Sequence, residues 1–324
     1  MFAELVCGPP GSGKTTYCEG KRQFLQSYDP ARPVIMMNLD PANDGAFPYP
    51  CDVDIRLLVD HSVVMEEEGL GPNGSYLFCL DLIGQRLDWL EQEITKFVEM
   101  RMGEKEQQHG SHGKVKRAPY LIIDCPGQVE FYLNTDSMHK FVTTLLQRKL
   151  HCASVCMVHL TDGVVATRDV PTYISTCLLS LTSMVDLELP HVNVLTKWDV
   201  VLENEGGSPD SEGFLDVEAF LDTPSFLDHH FARLWKKRGS HLGMVGGLKE
   251  RSAPPAEGTT AGTSPTATAR SSSGASNTLL TMSKTIMEVV DGYGIVGFVP
   301  LDVQSQDMML ELVQRVDNAL GNLV

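Results

Sequence analysis

Residues Gly8–Thr16, reading GPPGSGKTT, satisfy the spacing GxxxxGK[ST], and the short apolar run Phe2–Cys7 leads directly into them. Glycines at this density let the backbone curl until successive N–H groups point at an anion, and a helix starting where the loop ends adds its positive dipole end. The chemistry implied is phosphate binding. Gly11, Ser12, Gly13 and Thr16 build the cradle, and Lys14 is the cation that reaches the outer phosphates. Thr15 offers a hydroxyl to Mg²⁺, a hard ion that takes few protein oxygens. A glycine-rich turn with an incidental lysine is the plain alternative, and the flanking strand and helix patterns argue against it.

A second apolar run, Tyr120–Ile123, ends in DCPGQVE, residues Asp124 to Glu130. Asp124 at the tip of a strand suits contact with the metal's water shell, and Gly127 lets backbone approach a terminal phosphate. Gln128 and Glu130 follow, and either could orient or polarise an attacking water; Glu130 could equally be an ion-paired surface residue. Asp40, in NLDPAN (Asn38–Asn43), closes another run and would face the same crevice, to hold a water in the metal's shell or orient the nucleophile. A turn carboxylate before Pro41 is its other reading.

The base is read by Thr196, Lys197, Trp198 and Asp199, which follow the run His191–Leu195. Guanine presents N1–H and an exocyclic amine as adjacent donors, a pair that one carboxylate can accept and that adenine lacks. Asp199 therefore favours GTP over ATP. The Lys197 stem can cover the base while its ammonium ties back to the glycine loop. TKxD alone is a common turn pattern; its position after the other two segments gives it meaning.

Elements of one kind must bring these segments together. The runs Phe2–Cys7, Val34–Met37, Tyr120–Ile123, Ala153–Leu160, His191–Leu195 and Ile295–Pro300 are short and nearly all apolar, as strands buried on both faces are. Tyr173, Ile174, Cys177, Leu178, Leu181 and Val185 repeat at helical spacing, as do Met308, Met309, Leu312, Val313, Val316 and Leu320. Alternation of the two predicts an α/β fold, a three-layer P-loop NTPase with a mainly parallel sheet, helices on both faces and ligands at the carboxyl ends of the strands.

The expected organisation is one domain over residues 1–324 with three interruptions. Gly103–Arg117 reads as a polar loop, Glu203–Ser211 as an acidic one, and Gly239–Asn277, dominated by Ser, Thr, Ala, Pro and Gly, as a disordered insertion. A formal charge of -16 over 324 residues disfavours direct binding to nucleic acid or anionic membrane. The eight cysteines form no CxxC pair and read as reduced core thiols. Met1 runs straight into a strand, leaving no room for a secretory signal, and the longest uncharged window, Val170–Val185, is too short and too rich in Ser and Thr to span a bilayer. A cytoplasmic location, with access to the nucleus, is expected.

Gly71–Pro72–Asn73–Gly74 is, by local physics, only a tight turn. In chain order, however, the P-loop, NLDPAN, GPN, DCPGQ and TKWD resemble the GPN-loop GTPases, and LDWL (Leu87–Leu90), LELP (Leu187–Pro190) and FVPLD (Phe298–Asp302) extend the likeness. NLDPAN followed by PYPCDVDIRLLV looks most like the second of the three eukaryotic paralogues. The resemblance implies a SIMIBI-like GTPase that turns GTP into GDP with Mg²⁺. It also implies a homodimer or a heterodimer with a paralogue, in which Gly71, Pro72 and Asn73 reach the partner's nucleotide. RNA polymerase II subunits or assembly factors are the implied clients, and the implied role is in assembly and nuclear import. Pro9 stands where related ATPases carry a second, partner-reaching lysine. A P-loop nucleotide kinase and a non-hydrolysing GTP-bound scaffold are the alternatives.

Overall fold

The computed structural model describes residues 1–43, 45–109, 117–128, 136–168, 170–204 and 297–321, with 282, 285, 286, 288 and 289. Glu130, the 239–277 insertion and most of the 203–211 stretch lie outside these residues. Strand β1 (Phe2–Cys7) passes through the glycine loop into α1 (Lys14–Tyr28), and β2 (Val34–Asn38) follows. After the short β3 (Val53–Asp54) and a 3-10 turn at Ile55–Leu57 come α2 (His61–Glu68), α3 (Pro72–Gln85) and α4 (Leu87–His109). Strand β4 (Tyr120–Asp124) precedes α5 (Asp136–Lys140), which continues as a π-helical segment, Phe141–Lys149. Next are β5 (Ser154–Asp162), α6 (Gly163–Ala166), α7 (Val170–Leu187), β6 (His191–Thr196) and α8 (Trp198–Asn204). Strand β7 (Phe298–Pro300) and α9 (Gln306–Ala319) complete the order.

Among the described residues seven strands form one parallel sheet in the order β3-β2-β4-β1-β5-β6-β7. The chain leaves β1 for the β2 side and later returns to add β5 on the other, so the strand order reverses around β1, where a doubly wound sheet opens its ligand crevice. Strand alternation then divides the core. Leu5, Ile35, Leu121 and Ile123 point to the face covered by Tyr76, Leu90 and Ile94 of α3 and α4. Val6, Met36 and Ile122 point to the face covered by Tyr17 and Leu25 of α1 and by Leu312 and Val316 of α9. Each such fully buried side chain contributes roughly 1.5–3 kcal/mol.

One polar group lies within the second face. Glu4 of β1 is fully buried and accepts from Lys21, from Tyr17 Oη at 2.7 Å and from Tyr120 Oη at 2.6 Å. Those three donors make a buried carboxylate tolerable.

The stretch from Gly103 expected as a polar loop is helical through His109 as the end of α4, and its residues 110–116 lie outside the described residues. Gly103 costs about 1 kcal/mol in a helix, but the residues around it are good helix formers. Docking also holds this end: Arg101 donates to Asp52 at 2.6 Å and Lys105 to Pro30 O at 2.7 Å. Strand β5 outruns its apolar stretch to Asp162, whose carboxylate accepts from the N–H groups of Val164 and Val165 and so caps α6. All eight cysteines are free thiols. Among the described residues no helix is long and apolar enough to cross a membrane.

Candidate nucleotide site

The glycine loop crosses the tips of β1 and β5. Gly8 takes φ +140, and a Cβ there would stand 2.1 Å from Leu160 O, so only glycine fits. Gly11 and Gly13 also have positive φ. Lys14 is buried and its ammonium folds over the loop, donating to Gly8 O at 3.0 Å and Pro9 O at 3.1 Å. Ser12 is fully buried and its hydroxyl has no hydrogen-bond partner among the described residues. An orphaned donor and a lysine resting on two carbonyls fit an anion that would engage both. Thr16, one residue beyond Thr15, is exposed.

Thr15 and Asp124 meet as the strand order requires. Thr15 Oγ1 donates to Asp124 Oδ2 at 2.9 Å, and Tyr49 Oη donates to the same oxygen at 2.9 Å. Asp124 is only 3% exposed. Burial pushes its carboxyl above the ordinary range, against the two hydroxyl donors and Lys14, and the nearby Asp40 charge pushes the same way. Such an acid is relieved by a cation. No group of three or more His, Cys, Asp or Glu able to hold a metal occurs among the described residues. A threonine hydroxyl, one carboxylate and the oxygens of a bound phosphate fit Mg²⁺, which uses few protein ligands. A Cβ on Gly127 would lie 3.2 Å from both Lys14 Nζ and Pro10 Cα, so the segment after β4 presses against the glycine loop. Gln128 is half-buried beside it, with no side-chain hydrogen bond among the described residues.

Asp40 lies just past β2, and its Oδ1 accepts from Ala42 N at 3.0 Å and from Tyr76 Oη at 2.5 Å. Tyr76 belongs to α3, and its hydroxyl is held in the protonated, donating form chiefly by burial and by the Asp40 charge. The Gly71–Gly74 segment is not an isolated turn. Gly71 is the N-cap of α3, Pro72 its first helical residue, and Asn73 is exposed one position on.

At the other end of the loop, Thr196 Oγ1 donates to Ser12 O at 2.7 Å. Lys197 adopts φ +56, uncommon for a residue with a Cβ. Its ammonium pairs with Asp162 Oδ2 at 2.6 Å instead of returning to the glycine loop, so the tie expected of Lys197 is made by Thr196. Asp199 is exposed and makes no side-chain hydrogen bond or ion pair among the described residues. Trp198 is 1% exposed and packs with Ala166, Tyr173, Ile174 and Phe298, which takes its ring out of reach of a base, while Lys197 and Asp199 on either side of it are exposed. Gly163 supports this turn, because a Cβ there would come within 2.7 Å of Thr196 O.

The structure thus gathers Gly11, Ser12, Gly13, Lys14, Thr15, Gly127 and Asp124 at the glycine loop and, through Thr196, ties to that loop the turn that carries Lys197 and Asp199. Three residues enter that sequence reasoning missed: Tyr49, Tyr76 and Asp162. A tyrosine between two prolines (Pro48 and Pro50) was the available signal for Tyr49. Asp162, before Gly163, reads as a helix cap.

The sequence matches a family model and known proteins over much of its length. A family model described as "Conserved hypothetical ATP binding protein" matches residues 6–242. The GPN-loop GTPase QQT1 of Arabidopsis thaliana is 32% identical over 322 residues, covering 99% of this chain and 85% of its own. GPN-loop GTPase 2 of Danio rerio is 31% identical over 320 residues, with 99% and 81% covered. A solved apo-form GTPase from Pyrococcus abyssi aligns with TM-score 0.49 at 22% identity, over 63% of this chain and 71% of its own. The chain belongs to the GPN-loop GTPase family.

Proposed function

We infer that this chain is a GTPase that binds GTP in the crevice above β1 and hydrolyses it to GDP and phosphate. The observation that carries this reading is the pairing of one oxygen of buried Asp124 with both Thr15 and Tyr49, beside a glycine loop whose buried Ser12 hydroxyl has no partner among the described residues. Gly11, Ser12 and Gly13 bind the phosphates, Lys14 turns from the loop carbonyls to the β- and γ-oxygens, and Gly127 brings backbone to the γ-phosphate. Thr15 and Asp124 would hold Mg²⁺, which when bound neutralises charge on those oxygens. Asp40 and Gln128 orient the water that attacks the γ-phosphorus as the bond to the β–γ bridging oxygen breaks. Asp199 selects guanine and Lys197 covers it. The family description names ATP; a competition assay with both nucleotides, in which ATP displaced GTP equally, would overturn the guanine assignment.

The proposed working form is a homodimer or a heterodimer with a paralogue, joined through the α2–α3 face. Val63, Leu70, Leu77 and Phe78 there are 48%, 38%, 48% and 40% exposed, an apolar surface that a partner would cover. Exposed Asn73 would donate an amide hydrogen bond to charge developing on the partner's γ-phosphate. Asn73→Ala should then lower kcat by roughly one to two orders of magnitude with GTP affinity little changed. Wild-type turnover in that variant would remove the trans role.

By family resemblance, the proposed clients are RNA polymerase II subunits or their assembly factors, engaged in the cytoplasm and accompanied to the nucleus. A switch must bind its client differently in its two states. Capture of polymerase subunits by chain loaded with a non-hydrolysable GTP analogue, compared with GDP, tests this; equal or absent capture argues against it.

A further inference from the structure

We propose that Tyr76 and His61 are positioning residues that clamp Asp40 to the GPN helix α3, so that turnover depends on two side chains outside the nucleotide crevice. The proposal rests on the GTPase reading above. Asp40 is fixed on three sides: Asn38 Oδ1 accepts from its N–H at 3.1 Å, Asn38 Nδ2 donates to its carbonyl at 3.0 Å, and Tyr76 takes its Oδ1 at 2.5 Å. Among the described residues the other carboxylate oxygen carries no hydrogen bond, and Asp40 is half-buried, so that oxygen is available to a water. Tyr76 is 3% exposed, so its ring is locked by the core while its hydroxyl alone reaches Asp40.

His61 makes the second link. Its ring nitrogen Nε2 lies 2.9 Å from Pro72 O, and because a carbonyl only accepts, the nitrogen must carry the proton. The His61 N–H donates to Pro41 O at 3.2 Å, and the ring packs against Tyr76 with centroids 5.3 Å apart. Pro72 and Tyr76 are four residues apart on α3, hence on one face of the helix. The segment Asp40–Pro41 and the first turn of α3 are therefore joined at two points, and a helix transmits displacement as a rod. Asn73 sits between those points. The device keeps Asp40 set for water in its own site while fixing where Asn73 is presented to a partner.

The test measures kcat for GTP, affinity for a non-hydrolysable GTP analogue and melting temperature in wild type, Tyr76→Phe, Asp40→Asn and the double variant. Tyr76→Phe should lower kcat by about tenfold to a hundredfold, the range for one lost hydrogen bond to a charged group, with analogue affinity within about twofold. The double variant should be no slower than the slower single one, because Tyr76 acts on turnover only through the Asp40 carboxylate, which Asp40→Asn has already removed. His61→Ala should also slow turnover, and His61→Gln, which keeps an N–H donor, should restore part of it. Wild-type kcat in Tyr76→Phe, or losses that multiply in the double variant, would overturn the proposal. Absence of turnover in the wild-type protein is a separate outcome that removes the GTPase reading and this inference with it.

Discussion

The Thr196 hydroxyl donates to the carbonyl of Ser12 at 2.7 Å, across a sequence separation of 184 residues. This bond joins the turn that carries Asp199 to the glycine loop. Its acceptor belongs to a fully buried residue, so its loss leaves a carbonyl without solvent.

Thr196→Val keeps the shape and removes the donor. An unsatisfied buried acceptor costs about 1–3 kcal/mol. GTP affinity and melting temperature should fall together, because the bond organises the empty site as well as the occupied one. Nucleotide titration alongside a thermal melt checks this; a change in one without the other contradicts a shared role.

Asp199→Asn should weaken GTP by about 1.5–3 kcal/mol, the value of a charge-assisted bond pair, and leave ATP binding where it was. The fold should not notice, since Asp199 is exposed and unpaired among the described residues. Fluorescent-nucleotide competition reads both affinities, and an equal loss for the two bases would move guanine recognition elsewhere.

Acid should destabilise the protein through His159 and His191, whose rings stack 5.9 Å apart in β5 and β6. Burial, with the neighbouring His191 and Lys14 charges, pulls His159 down to about 3, and burial pulls His191 down to about 4. Above the ordinary value near 6.5 neither state binds the proton, so the two histidines cost nothing. Below it the unfolded chain takes up protons that the folded one refuses. Stability should therefore fall between pH 6.5 and about 4, by at most about 1.4 kcal/mol per pH unit for each histidine. Urea midpoints across that range should drop less steeply in His159→Asn; an unchanged slope would mean His159 is protonated in place.

Lys21→Met should cost about 3–5 kcal/mol, because it leaves the fully buried Glu4 carboxylate without its cation. Adding Glu4→Gln should recover part of the loss, since a neutral amide oxygen still accepts from a tyrosine. Chemical denaturation of the three variants measures the coupling, and a double variant no more stable than Lys21→Met would show that the ion pair is not the source.

The backbone geometry of the glycine loop was readable residue by residue. GPPGSGKTT demands positive φ and close backbone approach, which glycine alone supplies, and the structure shows Gly8, Gly11 and Gly13 in that region. The buried parallel strands were equally legible, because apolar runs such as Tyr120–Ile123 leave no polar face. Less legible were the ends of elements. Gly103 looked like the start of a loop, yet α4 continues past it, since helix length there follows docking of Arg101 and Lys105 against distant chain. The GPN segment looked like a turn because its helix begins with the residues that also favour turns, Gly and Pro.

From sequence alone came the fold class, the family, and the segments proposed for phosphate, metal and base chemistry. Each of these depends on contiguous residues and on their order along the chain. Tertiary structure alone decided which side chains hold those segments. Tyr49 reaches Asp124 across 75 residues and Tyr76 reaches Asp40 across 36, and Lys197 pairs with Asp162 rather than with the glycine loop. Periodicity of two or 3.6 residues states which face of an element is buried, but not which element will face it. That is settled only when β2, β4 and β1 take their places side by side and bring α1 and α3 to the ends of neighbouring strands.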